Sequence, residues 1–280
     1  MSAFVGSVRE LLVDIAGTTA HGPLTLPDGL PDEVRAIVSA TVPALLDYQD
    51  AAYARLYLDR LKRFVGRRDV YAALFADIAR LMADRMMYED PIRIAQLTLR
   101  AGAAGTRVCK FRLDELISAL PEAAARPLLD VLQRIGWSHR RLNRRFNAGS
   151  AWGVRRLRAE AWLRRWRMLT VRYAAERLWV ARWLHMIDRA LAKQPAAAAA
   201  VVDTATMMQG YGDPYRHGLA DWHLIIDQLV KPTFDGTLTL PDLAAAIARA
   251  RAAATPDRRQ AALKRAIAQI RASTVSPDAY

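Results

Sequence analysis

Between Arg134 and Arg172 the chain carries twelve arginines, no lysine and a single acid, Glu160, together with four tryptophans at 137, 152, 162 and 166. The formal charge of that stretch is 12 − 1 = +11, against +13 for all 280 residues, so the remainder is close to neutral. Any fold of this chain has to place that charge. A guanidinium keeps its proton, so each arginine either reaches water or meets an acceptor. Three uses are open to such a block: a nucleic-acid surface, a protein-docking face, or an internal clamp for buried acids.

Periodicity divides the block. Val154 to Leu169 reads as one helix: at about 100° per residue, Val154, Leu157, Ala161 and Met168 share an arc that Trp162, Trp166 and Leu169 extend. Arg156, Glu160, Arg164 and Arg167 fall opposite, toward solvent. Arg158 and Arg165 fall inside the apolar arc and ask for carboxylate partners, which the planar guanidinium suits. Ser138 to Gly153 mixes serine, asparagine and glycine with arginine and reads as a loop or short turns. Arg140, Arg141, Arg144 and Arg145 on it form a candidate docking surface.

Elsewhere the same helical spacing recurs: a short pattern around Val8–Ile15, then Pro43–Leu61, Val70–Tyr88, Pro91–Arg100, Pro121–Ile135, Tyr173–Leu191, Pro195–Gln209, Leu219–Val230, Pro241–Ala254 and Asp257–Ala272. The expected fold is all-α, an irregular multi-helix bundle with at most a few short extended segments, Arg107–Arg112 being one. The expected organisation is an N-terminal helix and loop over 1–30, one helical domain over 31–273, and a tail over 274–280. Leu-Thr-Leu-Pro-Asp occurs at 24–28 and again at 238–242, each time ahead of a helical pattern. Helix-entry chemistry explains that without a duplication.

Four acids could answer the inward arginines. Asp50 lies on the stripe of Leu46, Tyr53, Tyr57 and Leu61, where an unpaired carboxylate is costly. Glu89 follows Arg85 by four residues, a spacing that suits an intrahelical pair. Asp90 suits the N-cap of a helix opened by Pro91. Asp213, before Pro214, starts a helix that holds Arg216. The expectation is a clamp in which Asp50, Glu89 or Asp90, and Asp213 meet Arg158, Arg165 or Arg216.

Several classes are excluded or disfavoured. No Walker-type phosphate loop, strand-linked GxGxxG, HExxH, nucleophile elbow or Cys/His cluster is present. The chain therefore shows no autonomous catalytic motif and no cofactor or metal site of its own. Its one cysteine, Cys109, cannot form an intramolecular disulfide, and a small buried side chain is its expected role. His185 falls on the polar side of its helix, as a surface imidazole. No apolar run approaches the roughly 18–20 residues that span a bilayer, and no secretory signal is visible, so the expected setting is cytoplasmic with no membrane contact. The pI near 10.4 suits an acidic partner. No base-reading pattern accompanies it, which weighs against nucleic acid.

Four stretches carry a family resemblance, in chain order: Asp47-Tyr-Gln-Asp-Ala-Ala-Tyr-Ala-Arg-Leu-Tyr-Leu-Asp-Arg-Leu61; Tyr88-Glu-Asp-Pro-Ile-Arg-Ile-Ala-Gln-Leu97; Leu163-Arg-Arg-Trp-Arg167 with Arg172-Tyr-Ala-Ala-Glu176; and Gly210-Tyr-Gly-Asp-Pro-Tyr-Arg-His-Gly218. Together they resemble the C-terminal helical region of the fused indolepyruvate:ferredoxin oxidoreductase subunits, over residues 40–230. That family oxidises aryl 2-oxoacids to acyl-CoA thioesters and passes the electrons to ferredoxin, using thiamine diphosphate and iron–sulfur clusters held in other domains. The resemblance implies an accessory helical subunit or domain of a 2-oxoacid oxidoreductase that serves assembly, site closure or acceptor docking. Its partners would be the catalytic subunits, with ferredoxin or the phosphates of CoA at Arg140–Arg145. The alternative is a basic helical module that binds nucleic acid or another protein.

Overall fold

A computed structural model describes residues 24–273 except 103–105, 119–121, 138–140, 209, 211, 256 and 258, with backbone alone at 106–112, 115, 116, 122–124 and 141–146. The fold is all-α. Its helices are α1 (Asp32–Tyr48), α2 (Ala51–Lys62), α3 (Ala72–Met86), α4 (Pro91–Arg100), α5 (Leu113–Ser118), α6 (Glu122–Arg134), α7 (Ala151–Trp162), α8 (Val171–Lys193), α9 (Ala198–Asp203), α10 (Asp213–Ile225), α11 (Lys231–Asp235), α12 (Leu243–Ala253) and α13 (Ala261–Ala272). One antiparallel pair interrupts them, β1 (Thr106–Arg112) against β2 (Arg141–Asn147), with Thr106 opposite Asn147 and Arg112 opposite Arg141.

The long helix α8 is the axis. Tyr173, Trp179, Val180, Trp183, Leu184, Met186, Ile187, Ala190 and Leu191 are all buried on it. Apolar residues around so much of a helix mark a central element rather than a surface one. α3 and α9 pack on α8, α1 packs on α3, and α12 packs on α9. The resulting core is continuous from Leu30 to Ile270. Trp183 and Trp222 are sealed inside it, each with its indole N–H spent: on the Val201 and Val202 carbonyls at 3.3 Å, and on Thr204 Oγ1 at 2.9 Å.

A second, small cluster lies beside it. Ala95 of α4 meets Leu157 of α7 and Ala148, with Leu99, Val154 and Ala161 around them. α4 and α7 thus form a layer of their own. Gly153 lets α7 pass close to the end of β2, since a Cβ there would sit 2.1 Å from the Asn147 carbonyl oxygen.

Element boundaries depart from the periodicity at several places. The Pro43–Leu61 pattern is two helices broken at Gln49–Asp50, and α1 begins eleven residues before Pro43, which it holds inside. Asp50 is the cause of the break: it accepts the Tyr53 backbone N–H at 2.9 Å as the N-cap of α2 and is exposed. The Val154–Leu169 pattern is α7 up to Trp162 and then a 3₁₀ segment, Leu163–Leu169. Pro195–Gln209 is a 3₁₀ turn, α9 and a second 3₁₀ turn over Thr204–Met207. Residues 141–147, expected in a loop, form a strand. Asp90 caps its helix as its sequence context predicts, and Asp242 caps a helix that begins at Leu243 instead of Pro241. His185 is exposed, as expected. The short pattern at 8–15 and the 274–280 tail lie outside the described residues.

Candidate functional site: a buried arginine network

The deepest charged group is Arg167, which is 1% exposed. It is positioned by the 3₁₀ segment. A 3₁₀ residue turns about 120° where an α residue turns about 100°, so the five steps from Trp162 swing Arg167 roughly a quarter turn from its helical-wheel position. It was expected in solvent and is in the core. Its Nε donates to Asp90 Oδ2 at 2.9 Å and its Nη2 to Asp90 Oδ1 at 3.2 Å, a bidentate pair. Nη1 donates to the Tyr48 carbonyl at 2.7 Å and to Gln49 Oε1 at 3.3 Å. The guanidinium lies 4.0 Å from the Tyr48 ring centroid. Gln49 Nε2 closes the loop on the Arg164 carbonyl at 2.9 Å.

A second network centres on Glu176 of α8. Arg85 Nη2 donates to its Oε2 at 2.5 Å, Arg172 Nη2 is 2.9 Å from its Oε1, and the Tyr215 hydroxyl lies against it. Arg85 Nη1 also donates to the Met208 carbonyl at 3.2 Å. Two guanidiniums on one carboxylate leave a surplus positive charge. Aromatic faces take it up: Arg172 lies 3.6 Å from the Tyr215 centroid and 5.5 Å from that of Tyr88, and Arg85 lies 5.2 Å from that of Trp179.

The tyrosines around both networks sit deep in the core. Burial pushes the Tyr48, Tyr53, Tyr57, Tyr88 and Tyr215 hydroxyls above the ordinary tyrosine range. Three are spent on carbonyls, Tyr48 on Tyr88 at 3.0 Å, Tyr53 on Met86 at 2.7 Å and Tyr57 on Ala79 at 3.0 Å. Burial thus favours the protonated phenol at each of them.

The expected clamp exists with different members. Asp90 is in it, paired to Arg167. Asp50 is not: it is exposed and capping α2. Arg158 and Arg165 are exposed as well, and Arg165 lies 5.8 Å from the Trp162 ring instead of beneath it. Glu89 is exposed because α3 ends at Met86, which removes the helical turn that would have carried it back to Arg85. Arg216 pairs with Asp114 at 3.2 Å and with Asp213 at 3.7 Å, the latter a pairing the expected clamp named. Arg140 lies outside the described residues, as do the side chains of Arg141, Arg144, Arg145 and Cys109; Cys109 is opposite Arg144 in the strand pair.

Sequence reasoning missed Arg167, Arg172, Glu176 and Gln49. One signal was there. Glu176 stands three residues after Tyr173 and four before Val180, on the buried stripe of α8. A carboxylate on such a stripe needs partners for the reason applied to Asp50.

An open groove of about 790 Å³ lies apart from these networks, between α10, α12 and Thr206–Met207. Asp213, His217 and Asp221 line it at four-residue spacing along α10, facing Arg251 and Thr255. Burial raises the Asp221 carboxyl above its ordinary range, although Gln260 donates to it at 2.7 Å. Arg251 donates to Thr206 Oγ1 at 2.8 Å. Among the described residues no group of three His, Cys, Asp or Glu side chains could hold a metal ion, and no helix is long and apolar enough to cross a membrane.

A family of unknown function, DUF6537, matches residues 34–228. No curated protein and no solved structure matches the chain. The matched span opens within α1 and closes in the π-helical turn Ile226–Val230 that extends α10, so it contains both arginine networks and the whole α4–α7 layer.

Proposed function

The chain belongs to the DUF6537 family, and we propose that it serves as an accessory helical subunit or domain of a 2-oxoacid:ferredoxin oxidoreductase acting on aryl pyruvates such as indolepyruvate. Its work there is assembly and docking. Thiamine diphosphate and the iron–sulfur clusters belong to the partner subunits, with CoA as co-substrate. No catalytic role is assigned to a residue of this chain.

One observation supports this proposal above the rest. The four stretches that resemble the oxidoreductase region are far apart in sequence, yet three of them meet at the Arg167 and Glu176 networks and the fourth reaches the second network through Tyr215. Asp47, from the first stretch, is also paired with Arg93, from the second, at 3.2 Å, and with Arg100 just beyond it. Residues of the resembling stretches thus tie the α4–α7 layer to the main bundle at Arg167 and Asp47, and join α3, α8 and α10 within the bundle at Glu176. A scaffold that must present that layer at a fixed angle has reason to carry them.

The test is copurification. The full chain, tagged at its own locus in the source organism, is isolated under mild salt. The expected result is a complex containing a thiamine-diphosphate protein, with iron–sulfur absorbance in the visible range. Recovery of the chain without either, from an extract with measurable 2-oxoacid:ferredoxin activity, would overturn the proposal.

A further inference from the structure

α7 has two faces. Val154, Leu157 and Ala161 pack inward on α4. The opposite face holds Trp152, Arg155, Ala159, Trp162, Leu163 and, one 3₁₀ turn on, Trp166. Their spacings of three and four residues place them along one outward seam. Trp152 is 64% exposed, Trp162 53%, Trp166 45% and Leu163 37%. Scattered single apolar residues on a surface need no explanation, but three tryptophans and a leucine in one row do.

The rim of this seam is of one sign. Arg158 and Arg165 are exposed along it, and Arg155 is exposed within the seam itself. Among the described residues none of the three has a carboxylate within ion-pairing distance, and Glu160, the one acid of the helix, is already paired with Arg156 at 2.8 Å. The 3₁₀ end of the seam is anchored to the core. Arg165 lies over the Trp162 ring at 5.8 Å, and the 3₁₀ segment beneath is pinned by the buried Arg167 and by Gln49 holding the Arg164 carbonyl.

We infer that this outward face of α7 and the 3₁₀ segment docks a partner protein through a surface with an apolar centre and an acidic rim. The charge complementarity is direct: two cations beside the tryptophan row and one within it await carboxylates. Tryptophan and arginine are the side chains that most often dominate protein interfaces, because each combines a large contact area with a directed polar group. A single-stranded nucleic acid fits less well, since base stacking needs open ring faces and Arg165 occupies one on Trp162. A bilayer surface fits less well too, because an interfacial helix buries an unbroken apolar face and Arg155 stands in the middle of this one. The inference goes beyond the accessory-subunit proposal and does not depend on which complex the chain serves.

A photo-crosslinker tests it. Ala159, at the centre of the seam, is replaced by benzoylphenylalanine in the full chain, in cells of the source organism. The expected product is a cross-link to one other protein, at a peptide with several Asp or Glu beside apolar residues. With that partner purified, Kd should rise at least tenfold for Trp162→Ala and for Arg155→Glu with Arg165→Glu, and should also rise as salt goes from about 50 to about 300 mM. Far-UV circular dichroism checks that the variants stay folded, which their exposed positions predict. A cross-link to lipid, to nucleic acid, to a second copy or to a peptide without acids would overturn the inference, as would no cross-link or an unchanged Kd. A partner unrelated to 2-oxoacid oxidation would count against the function proposed above and leave this surface standing. A complex that copurifies equally with Trp162→Ala would do the reverse.

Discussion

At the scale of single residues, the molecule is defined by where its arginines end. Arg167 has the most to lose from the core and is the most fully answered there, by both oxygens of Asp90, a carbonyl, an amide oxygen and an aromatic face. Removing one member of a buried pair leaves the other charged and unmatched, at a cost of about 3–5 kcal/mol. Arg167→Met is expected to cost that much in urea unfolding. Asp90→Asn keeps the α4 cap, because asparagine also caps, so its cost reports the pairing with Arg167: the lost charge and the acceptor oxygen replaced by an amide N–H. The double variant should be less destabilised than the sum of the singles by more than about 1 kcal/mol, since it removes both charges together. Additivity to within about 0.5 kcal/mol would show that the two side chains do not stabilise each other.

At the scale of elements, short polar side chains decide the boundaries. Asp50, Asp90, Ser150, Thr170 and Asp242 each accept a backbone N–H from the first turn of the helix they precede. Asp50 has the largest consequence. It converts one apolar stripe into α1 and α2, and so directs the Tyr48 carbonyl and Gln49 at Arg167. Asp50→Ala should lower stability by about 1 kcal/mol through the lost cap, while Asp50→Asn should be nearly neutral. Equal losses for the two would assign the effect to the carboxylate's charge instead. The cap was legible as a residue type in the sequence; its choice over the helical stripe was not, because both readings satisfy the same local pattern. The α-to-3₁₀ change after Trp162 has no sequence signature at all. It arises where α7 must leave α4 and let Arg167 descend to Asp90.

At the scale of the whole molecule there are two layers of unequal strength. The main core runs through α1–α3 and α8–α13, whereas α4 and α7 share a cluster of three buried residues. Local opening should follow that difference, since segments with few buried apolar contacts open at lower free energy. In native-state hydrogen exchange, the amides of α8 between Trp179 and Ala190 are expected to exchange slowest. Those of β2 and α7 should exchange measurably faster, and Arg167→Met should widen the gap. Uniform protection across α7 and α8 would contradict a separable layer. A weakly held layer that carries an apolar outward seam gains from a partner that covers it, because binding to the folded form alone adds to its stability.

The sequence by itself determined the helical class, several helix starts, the apolar stripes of α3 and α8, and the need for buried acids to answer a basic block. These are local matters: spacing sets which residues share a face, and a capping side chain reaches only its own first turn. It could not determine which arginine goes in. Arg158, Arg165 and Arg167 are chemically identical, and a helical wheel ranks them only if the helix continues. Tertiary structure decided otherwise, by ending α7 at Trp162 and turning the chain 20° further at each following step. That one change of pitch buries Arg167 against Asp90 and leaves Trp162 and Trp166 on the outside, where the charge and the aromatic rings of the same block face a partner instead of the core.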